Sequence, residues 1–534
     1  MKKQLLKTLA SLLAFGFTSQ LNAQATLVEN PGVESQDILR VSEVNGSLMF
    51  FGREQGGNIY NVYLWSNNGT SSTKILNMYS ITSGINASYI TPCNGKGFFF
   101  TSDGTNGYEP WVTDGTAAGT FMLKDINTSG NSVSVSQECF CSGNKFYFSA
   151  YNTTAGTELW TSDGTTAGTT MLKDIKAGTG NADPINFLDY NSEVYFFAKS
   201  GFYNELWHTN GTTAGTSKMT NPTGLFKLGA TLYKHNNLLF FSGYDPSVNE
   251  GLWKTDGTTA GTSLITNTMS PQNFISLGTD LLFYNYYMDG TCFCYRKKLY
   301  KTDGTTTTMI KDSITFINPV LLGNKVVFGG EFTNSNTGYE PWITDGTTAG
   351  TFSLGSVATG SASSFFQQYR CISKPFNNKI YFPSDLSVWE TDGTVAGTVQ
   401  NCDIKPGSSD MLFDFATLGS TLYFNALNPA NSNRPELFKL SGSTGIKEMN
   451  SFEAGISLYP QPAKETITIA FNSDVNQIEI HLTDITGKEI KTETLDVSGN
   501  KTEFNVGNVA EGMYFLQLKT SDGKTATGKI IVSK

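Results

Sequence analysis

Along most of the chain, short apolar runs alternate with clusters of turn-forming residues. Runs such as Lys145 to Ala150 (KFYFSA), Glu193 to Ala198 (EVYFFA) and Lys325 to Gly330 (KVVFGG) are rich in aromatic and β-branched side chains. A short, near-continuous apolar run bounded by turns is the pattern of a strand buried on both faces. A pair such as Gly143-Asn144 leads into each run, and a shorter apolar stretch such as Phe187-Leu188 precedes that pair. Downstream lies the segment ELWTSDGTTAGT, Glu158 to Thr169, followed by a further apolar stretch at Met171-Leu172. Its Asp-Gly supplies the positive φ angles that tight hairpins need. The pattern predicts four short strands in sequence, named a, b, c and d, with the Asp-Gly turn between c and d.

The ELWTSDGTTAGT segment has relatives along the chain. EPWVTDGTAAGT surrounds Trp111, ELWHTNGTTAGT surrounds Trp207, GLWKTDGTTAGT surrounds Trp253 and KLYKTDGTTTT surrounds Tyr300. EPWITDGTTAGT follows at Trp342 and SVWETDGTVAGT at Trp389, with degenerate copies at Trp65 and Phe438. The aromatic positions are 46, 49, 47, 46, 47, 42, 47 and 49 residues apart, which makes nine copies. Four strands per period of this length mark the blades of a β-propeller. The expectation is an all-β ring of nine blades, or of eight if one degenerate end copy lies outside it. Ala25 to Asn30 (ATLVEN) resembles the d stretch, so an N-terminal strand is expected to complete the last blade and remove the exposed sheet edges.

The last 80 or so residues break the period, lose the DGT motif and gain Lys and Glu. Alternating runs at Thr466 to Phe471, Ile478 to Leu482, Met513 to Leu518 and Gly528 to Val532 predict a small antiparallel β-sandwich over 452–534, after a ring over 24–450. The N-terminus carries Lys2, Lys3 and Lys7, an apolar stretch from Leu9 to Phe17, and small residues at Ala23 and Ala25. That is the layout of a secretory signal peptide over 1–23. The apolar stretch is too short to span a bilayer, and no second one is long enough, so no transmembrane segment is expected.

Charge and composition narrow the function. The net charge is -9, and removing the three lysines of the signal peptide takes it to -12. An acidic surface argues against nucleic acid as a partner. Seven cysteines remain: Cys93, Cys139, Cys141, Cys292, Cys294, Cys371 and Cys402. Cys139 and Cys141, like Cys292 and Cys294, stand two apart, about 6–7 Å on one side of a strand, which is poor geometry for pairing with each other. Each can pair elsewhere, and the odd count leaves at least one thiol over. Three histidines, none beside a cysteine pair, point to no zinc site.

Two resemblances follow from these residues. The repeat over about 26–450 resembles the bacterial proteins named for their ELWxxDGT repeat; that resemblance implies repeat architecture and an extracellular setting. The C-terminal segment resembles the type A sorting domain of the type IX secretion system of Bacteroidetes. It does so through Leu458-Tyr459-Pro460-Gln461-Pro462-Ala463, Asp484-Ile485-Thr486-Gly487-Lys488, Gly512-Met513-Tyr514 and a Lys-Ile-Ile-Val end. Gln461 stands where the family has Asn. The resemblance implies Tyr459, Pro460, Pro462, Gly487, Gly512 and Tyr514 as sorting-motif residues. It also implies the secretion machinery as a partner and a secreted or cell-surface location.

No H-E-x-x-H, G-x-S-x-G or P-loop motif occurs, and no catalytic residue, cofactor or metal is expected. The repeated Asp114, Asp163, Asp256, Asp303, Asp345 and Asp392 read as turn formers, because one carboxylate per turn falls short of calcium's six to eight oxygens. The repeated Trp reads as inter-blade packing, since Tyr300 and Phe438 replace it. The expected function is binding or adhesion to an extracellular glycan or protein; a glycan-active hydrolase with carboxylates in the central channel is the alternative. The a–b and c–d turns are uniform, whereas the b–c and d–a loops vary. The longest b–c segment, Asn285 to Lys298, is expected to be a loop carrying Tyr286, Tyr287, Phe293, Tyr295 and Arg296 as the binding cluster.

Overall fold

The computed structural model describes residues 26–28, 37–56, 59–81, 87–219, 231–245, 249–267, 269–289, 294–331, 338–357, 373–384, 387–402, 414–428, 434–441, 456–459, 462–471, 475–484, 488–520 and 525–533. The signal-peptide expectation lies outside these residues. The chain divides into two compact units, Met1–Gly442 and Ser443–Lys534.

The first unit is a β-propeller. Among the described residues it contains nine four-stranded antiparallel sheets, eight of them formed by consecutive strands. Numbered in chain order, blades 1 to 8 span 37–81, 91–122, 139–173, 185–218, 232–266, 269–312, 317–353 and 374–402. Blade 3 is typical: Cys139–Ser142, Lys145–Asn152, Gly156–Ser162 and Thr170–Lys173 pair in chain order. Blade 9 takes its outermost strand from the other end of the chain. Thr26–Leu27 pairs with Arg434–Ser441, with Leu27 opposite Phe438. The N-terminal closing strand is therefore present, and the blade count is nine.

Each blade buries both faces. In strand b of blade 3, Phe146 and Phe148 pack with Phe98, Phe100 and Val112 of blade 2. Tyr147, pointing the other way, packs with Val194, Phe196 and Trp207 of blade 4. This explains the near-continuous apolar runs, since alternate side chains serve two interfaces. The aromatic residue of strand c always packs backward. Trp111 joins the cluster of Met49, Phe51 and Leu64 in blade 1. Trp160 leans on blade 2, Trp207 on blade 3 and Trp253 on blade 4. Trp342 packs on blade 6, and Phe438 packs on Tyr381 and Val388 of blade 8. Trp65 closes the circle, clustering with Ala416, Tyr423 and Leu437 of blade 9. Burying one such side chain contributes about 1.5–3 kcal/mol.

Polar bonds reinforce the same junctions. Lys96 of blade 2 donates to Gly164 O of blade 3 (3.3 Å), and Lys254 of blade 5 donates to Gly304 O of blade 6 (2.7 Å). Lys124 donates to Thr169 O at 3.1 Å while lying over the Trp160 ring, and Lys311 treats Thr351 O and Trp342 likewise. At the seam Asn425 of blade 9 donates to Ile38 O of blade 1 at 2.9 Å.

The junction of blades 2 and 3 is covalent. Cys93, on strand a of blade 2, is bonded to Cys141, on strand a of blade 3. Cys141 pairs outside its own Cys-x-Cys, and Cys139 Sγ lies 3.2 Å from Thr91 Oγ1.

The second unit has two sheets. Ile456–Tyr459, Thr466–Phe471 and Lys501–Asn505 form one; Glu489–Asp496, Gln477–Asp484, Gly512–Thr520 and Thr525–Val532 form the other, in that spatial order. A core of Ile467, Ile469, Ile480, Leu482, Leu516 and Ile530 lies between them. This is the expected small sandwich.

Replacing Cys93 and Cys141 together by Ser should lower the unfolding free energy of the ring by about 4 kcal/mol, given the 48-residue separation. Urea denaturation of the two proteins, each under non-reducing conditions, measures it.

Candidate functional site

The DGT turns are built alike. In blade 3, Asp163 Oδ1 accepts from Thr165 N (2.9 Å) and Thr165 Oγ1 (2.7 Å). Thr165 Oγ1 accepts from Gly168 N at 2.9 Å, and Ser162 Oγ meets Thr169 Oγ1 at 2.8 Å. Asp114, Asp256, Asp345 and Asp392 repeat these bonds, and Asn210 does so with its amide oxygen. These hydrogen bonds hold the Asp114, Asp163, Asp256 and Asp345 carboxyls below the usual range. Only the glycine of each Asp-Gly is left-handed, as at Gly164 (φ +86°), so the aspartate works as a side-chain acceptor and not as a second positive-φ residue. The second glycine has a different reason. A Cβ on Gly168 would lie 2.1 Å from Asp163 Oδ1, and Gly119, Gly261, Gly350 and Gly397 are equally close to their aspartates. Blade 6 lacks that glycine. There Asp303 accepts from Thr306 N as well as Thr305 N, both at 2.7 Å, and strand d begins at Thr307. This shorter turn accounts for part of the 42-residue spacing from Tyr300 to Trp342.

The glutamate of the motif has a role that strand patterning does not reveal. Glu109 is fully buried; its Oε2 accepts from Ile126 N (2.9 Å) and Ser132 Oγ (2.5 Å). Glu158, also fully buried, accepts from Ile175 N (2.6 Å) and Lys176 N (3.2 Å). Glu340 accepts from Val357 N and Ser356 Oγ at 2.9 and 3.0 Å. Each carboxylate thus pins the start of the d–a loop on the variable side of its blade. Burial pushes the Glu109 and Glu158 carboxyls up to about 7, helped by the charges of Asp125 and Asp174, against the opposing hydrogen bonds.

On that side, blade 6 corrects one expectation. The segment from Asn285 to Lys298 is mostly strand: Asp280–Asp289 pairs with Cys294–Thr302 in a hairpin longer than most others. Tyr287 faces Arg296 across the pair, and Met288 faces Tyr295. Period-two alternation therefore puts Tyr286 and Tyr287 on opposite faces. Tyr286 packs against the blade 6 and 7 core, edge to face with Tyr284 at 5.5 Å. Tyr287 lies beneath Lys298 (4.1 Å) and reaches Asp312 Oδ1 at 3.3 Å. The backbones of Tyr295 and Arg296 belong to the second strand, and Phe293 lies outside the described residues. Tyr286, Tyr287, Tyr295 and Arg296 thus share a hairpin, and Tyr286 and Tyr287 lie on its opposite faces.

Blade 4 presents a feature the sequence reading passed over. In its b–c turn Phe202 is 98% exposed and Tyr203 53%. The turn is anchored at its base by Glu205, which accepts from Ser200 N (3.2 Å) and pairs with Lys218 (2.8 Å). A pair of aromatics in a strand-rich sequence gives no warning of this, because only the blade's register decides which of them face inward.

A cavity of about 340 Å³ opens beside the seam, lined in part by Val41, Glu43, Tyr89, Lys374, Asp414 and Phe415. Its buried Asp414 accepts from Arg40 N at 2.7 Å and hydrogen-bonds Tyr89, whose ring carries the Arg40 guanidinium at 4.4 Å. Burial raises both the Asp414 and Tyr89 pKa values. Arg40 holds φ +63° at a bulge where Asn186, Asn273 and Asn318 occupy the matching position in three other blades. Asn adopts this conformation readily and Arg does not. The arginine is retained where blades 9, 1 and 2 must be tied together, so these groups serve the closure of the ring. Two histidines of the ring are also engaged. His208 bonds Glu193 at 2.8 Å, and His235 is a buried strand end bonded to Ser276 at 2.9 Å.

Of the sorting-motif residues, Tyr459 ends a strand and is exposed, Pro462 is exposed, and Gly512 opens the strand in which Tyr514 is buried. Pro460 and Gly487 lie outside the described residues.

Comparison with known families matches residues 457–533 to the secretion system C-terminal sorting domain. No curated protein matches the chain. Among solved structures it is similar to the β-propeller domain of the trilobed protease from Pyrococcus furiosus (11% identity, TM-score 0.34, 76% of this chain and 96% of that one). It is also similar to a puromycin-hydrolyzing peptidase from Mycobacterium tuberculosis (9%, 0.34, 84% and 61%) and to a puromycin hydrolase (10%, 0.33, 62% and 58%). The chain spans under two thirds of the length of both hydrolases. The sorting domain marks the chain for export by the type IX system across the outer membrane, to the cell surface or the medium.

Gly168→Ala should destabilise the ring by about 1–2 kcal/mol by expelling Asp163 from its turn, whereas Gly201→Ala, at a site with open space around it, should be neutral. Denaturant midpoints of the two variants check this. Buried Glu109 and Glu158 set a pH dependence. Their folded-state pKa values lie above the unfolded value of 4.5, so the stability they add is complete below about 4.5 and is lost as pH rises through about 7. Melting temperature should fall across that window, and the fall should shrink in the Glu158→Gln variant.

Proposed function

We propose that the propeller is a binding module for an extracellular glycan or protein, displayed or released by type IX export, with recognition on the side of the b–c and d–a loops. The observation that carries this reading is the contrast between the two sides of the ring. On the DGT side the turns satisfy their polar groups internally, copy after copy, and dock on the preceding blade. On the other side the connections differ in every blade, and buried glutamates hold several of them in place. Variable segments on a rigid scaffold are where recognition concentrates. Phe202, Tyr203 and Tyr287 offer aromatic area there at low entropic cost.

The site reading moves accordingly. Tyr287, with Arg296 opposite it, stays in the proposed surface, while Tyr286 supports the core beneath. The triple variant Phe202→Ala, Tyr203→Ala, Tyr287→Ala should weaken binding of the secreted chain to a glycan array or to whole cells at least tenfold, with its melting temperature unchanged within 2 °C, about 2 kcal/mol or less for a chain of this size. Undiminished binding by that variant, together with loss of binding in folded variants of the DGT turns, sinks the assignment of the side.

A further inference from the structure

In the C-terminal unit the segments that resemble the sorting family converge at one end of one sheet. Gly512-Met513-Tyr514 and the Lys529-to-Val532 end pair residue for residue: Gly512 opposite Val532, Met513 opposite Ile531, Tyr514 opposite Ile530, Phe515 opposite Lys529. Ala463, the last residue of the first motif, donates its N–H to Ile531 O at 2.8 Å and accepts from Ser533 N at 2.9 Å. Asp484, the first residue of the second motif, pairs with Tyr514 and closes its own turn, accepting from Lys488 N at 3.0 Å. Four separate stretches of sequence therefore meet in one place.

Folding accounts for only half of what they place there. Tyr514, Ile530 and Val532 point inward and complete the core, and Tyr514 also bonds Ala510 O at 3.0 Å. Met513 and Ile531 point the other way. They are cross-strand partners, 40% and 39% exposed, with half-buried Phe515 next on the same face. Two large apolar side chains directly opposite each other in water add little to the stability of a sheet whose core lies on its other face. Farther along, the same outer face turns polar: Glu479, His481 and Lys519 occupy it, with a Lys519–Glu479 pair at 3.8 Å. On this outer face the apolar end thus stands apart from the charged stretch, and Tyr459 and Ile490 are the other large apolar side chains exposed among the described residues of the unit. The match to the sorting domain covers this unit and supplies the class of partner.

We propose that the Met513–Ile531 face is the surface by which this chain docks on a protein of the type IX export machinery, through apolar contact and not through charge. The proposal rests on the export role of this unit and is independent of the binding function of the ring.

The test uses the full-length chain in an exporting host. Met513→Lys with Ile531→Lys should leave the chain folded, with an unchanged melting temperature, yet reduce its surface and medium level at least tenfold and accumulate it in the periplasm. If the Lys pair unfolds the unit, Met513→Thr with Ile531→Thr removes the apolar area while keeping strand-forming residues, and the same loss is expected. Glu479→Ala with Lys519→Ala on the polar end should be exported normally. Deletion of residues 452–534 tests the premise separately: export of that truncated chain at normal levels overturns the export role itself. With the premise intact, wild-type export of the Lys or Thr pair overturns the face. So does equal retention of the polar-end variant, or an effect of the substitutions confined to self-association of the purified chain.

Discussion

Packing of each blade against the one before it is the interaction on which the rest of the ring depends. No blade has a core of its own. Phe146 and Phe148 need blade 2, and Tyr147 needs blade 4. A single four-stranded sheet with both faces apolar is unstable in water, so the unit of stability is the junction and not the blade. The strand-c aromatic shows this directly, because it belongs to the neighbour's cluster at junction after junction. A chain built this way has two faces to cover at its ends, and closing the circle is what covers them. The seam carries the burden with Trp65 against Tyr423, Asn425 on Ile38, and the knot of Arg40, Tyr89 and Asp414.

The motif that repeats through the ring divides into parts with separate physical duties. The aromatic fills the junction. The Asp-Gly-Thr segment closes the c–d turn through side-chain acceptors, and its downstream glycine exists because the aspartate occupies the space a Cβ would need. The leading glutamate is a buried acceptor for backbone N–H groups of the next connection. That last duty links the uniform side of the blade to the variable one. The loops can differ in length and content because their first residues are held by a constant group.

Export and recognition draw on different parts of the chain. The sorting unit has its core between its two sheets, and among the described residues it leaves Tyr459, Ile490, Met513 and Ile531 exposed outside that core. The ring supplies rigidity and an acidic, soluble exterior, as suits a protein that acts outside the cell.

Most of the architecture was legible along the chain. The period of the aromatic positions, the apolar runs of strand b and the d-like stretch at Ala25 to Asn30 pointed to a closed ring of nine or eight blades, because repeat spacing and turn chemistry are local properties, and the nine sheets decide for nine. The packing role of the tryptophans followed from the aromatic substitutions at Tyr300 and Phe438. Other features depended on which residues the register brings together. Asn285 to Lys298 read as a loop, yet a polar strand extension beyond the rim looks the same in sequence as a loop of Tyr and Lys. The division of Tyr286 from Tyr287, the exposure of Phe202, the pairing of Cys141 with Cys93 rather than another thiol, and the burial of Glu109 and Glu158 all depend on where strands begin and end and on what they pair and pack with. The sequence alone thus determined the repeat, its four strands per period and their order along the chain. The tertiary structure alone decided which side chains face a neighbour, a seam or water, because facing is a property of pairing and packing that no single segment contains.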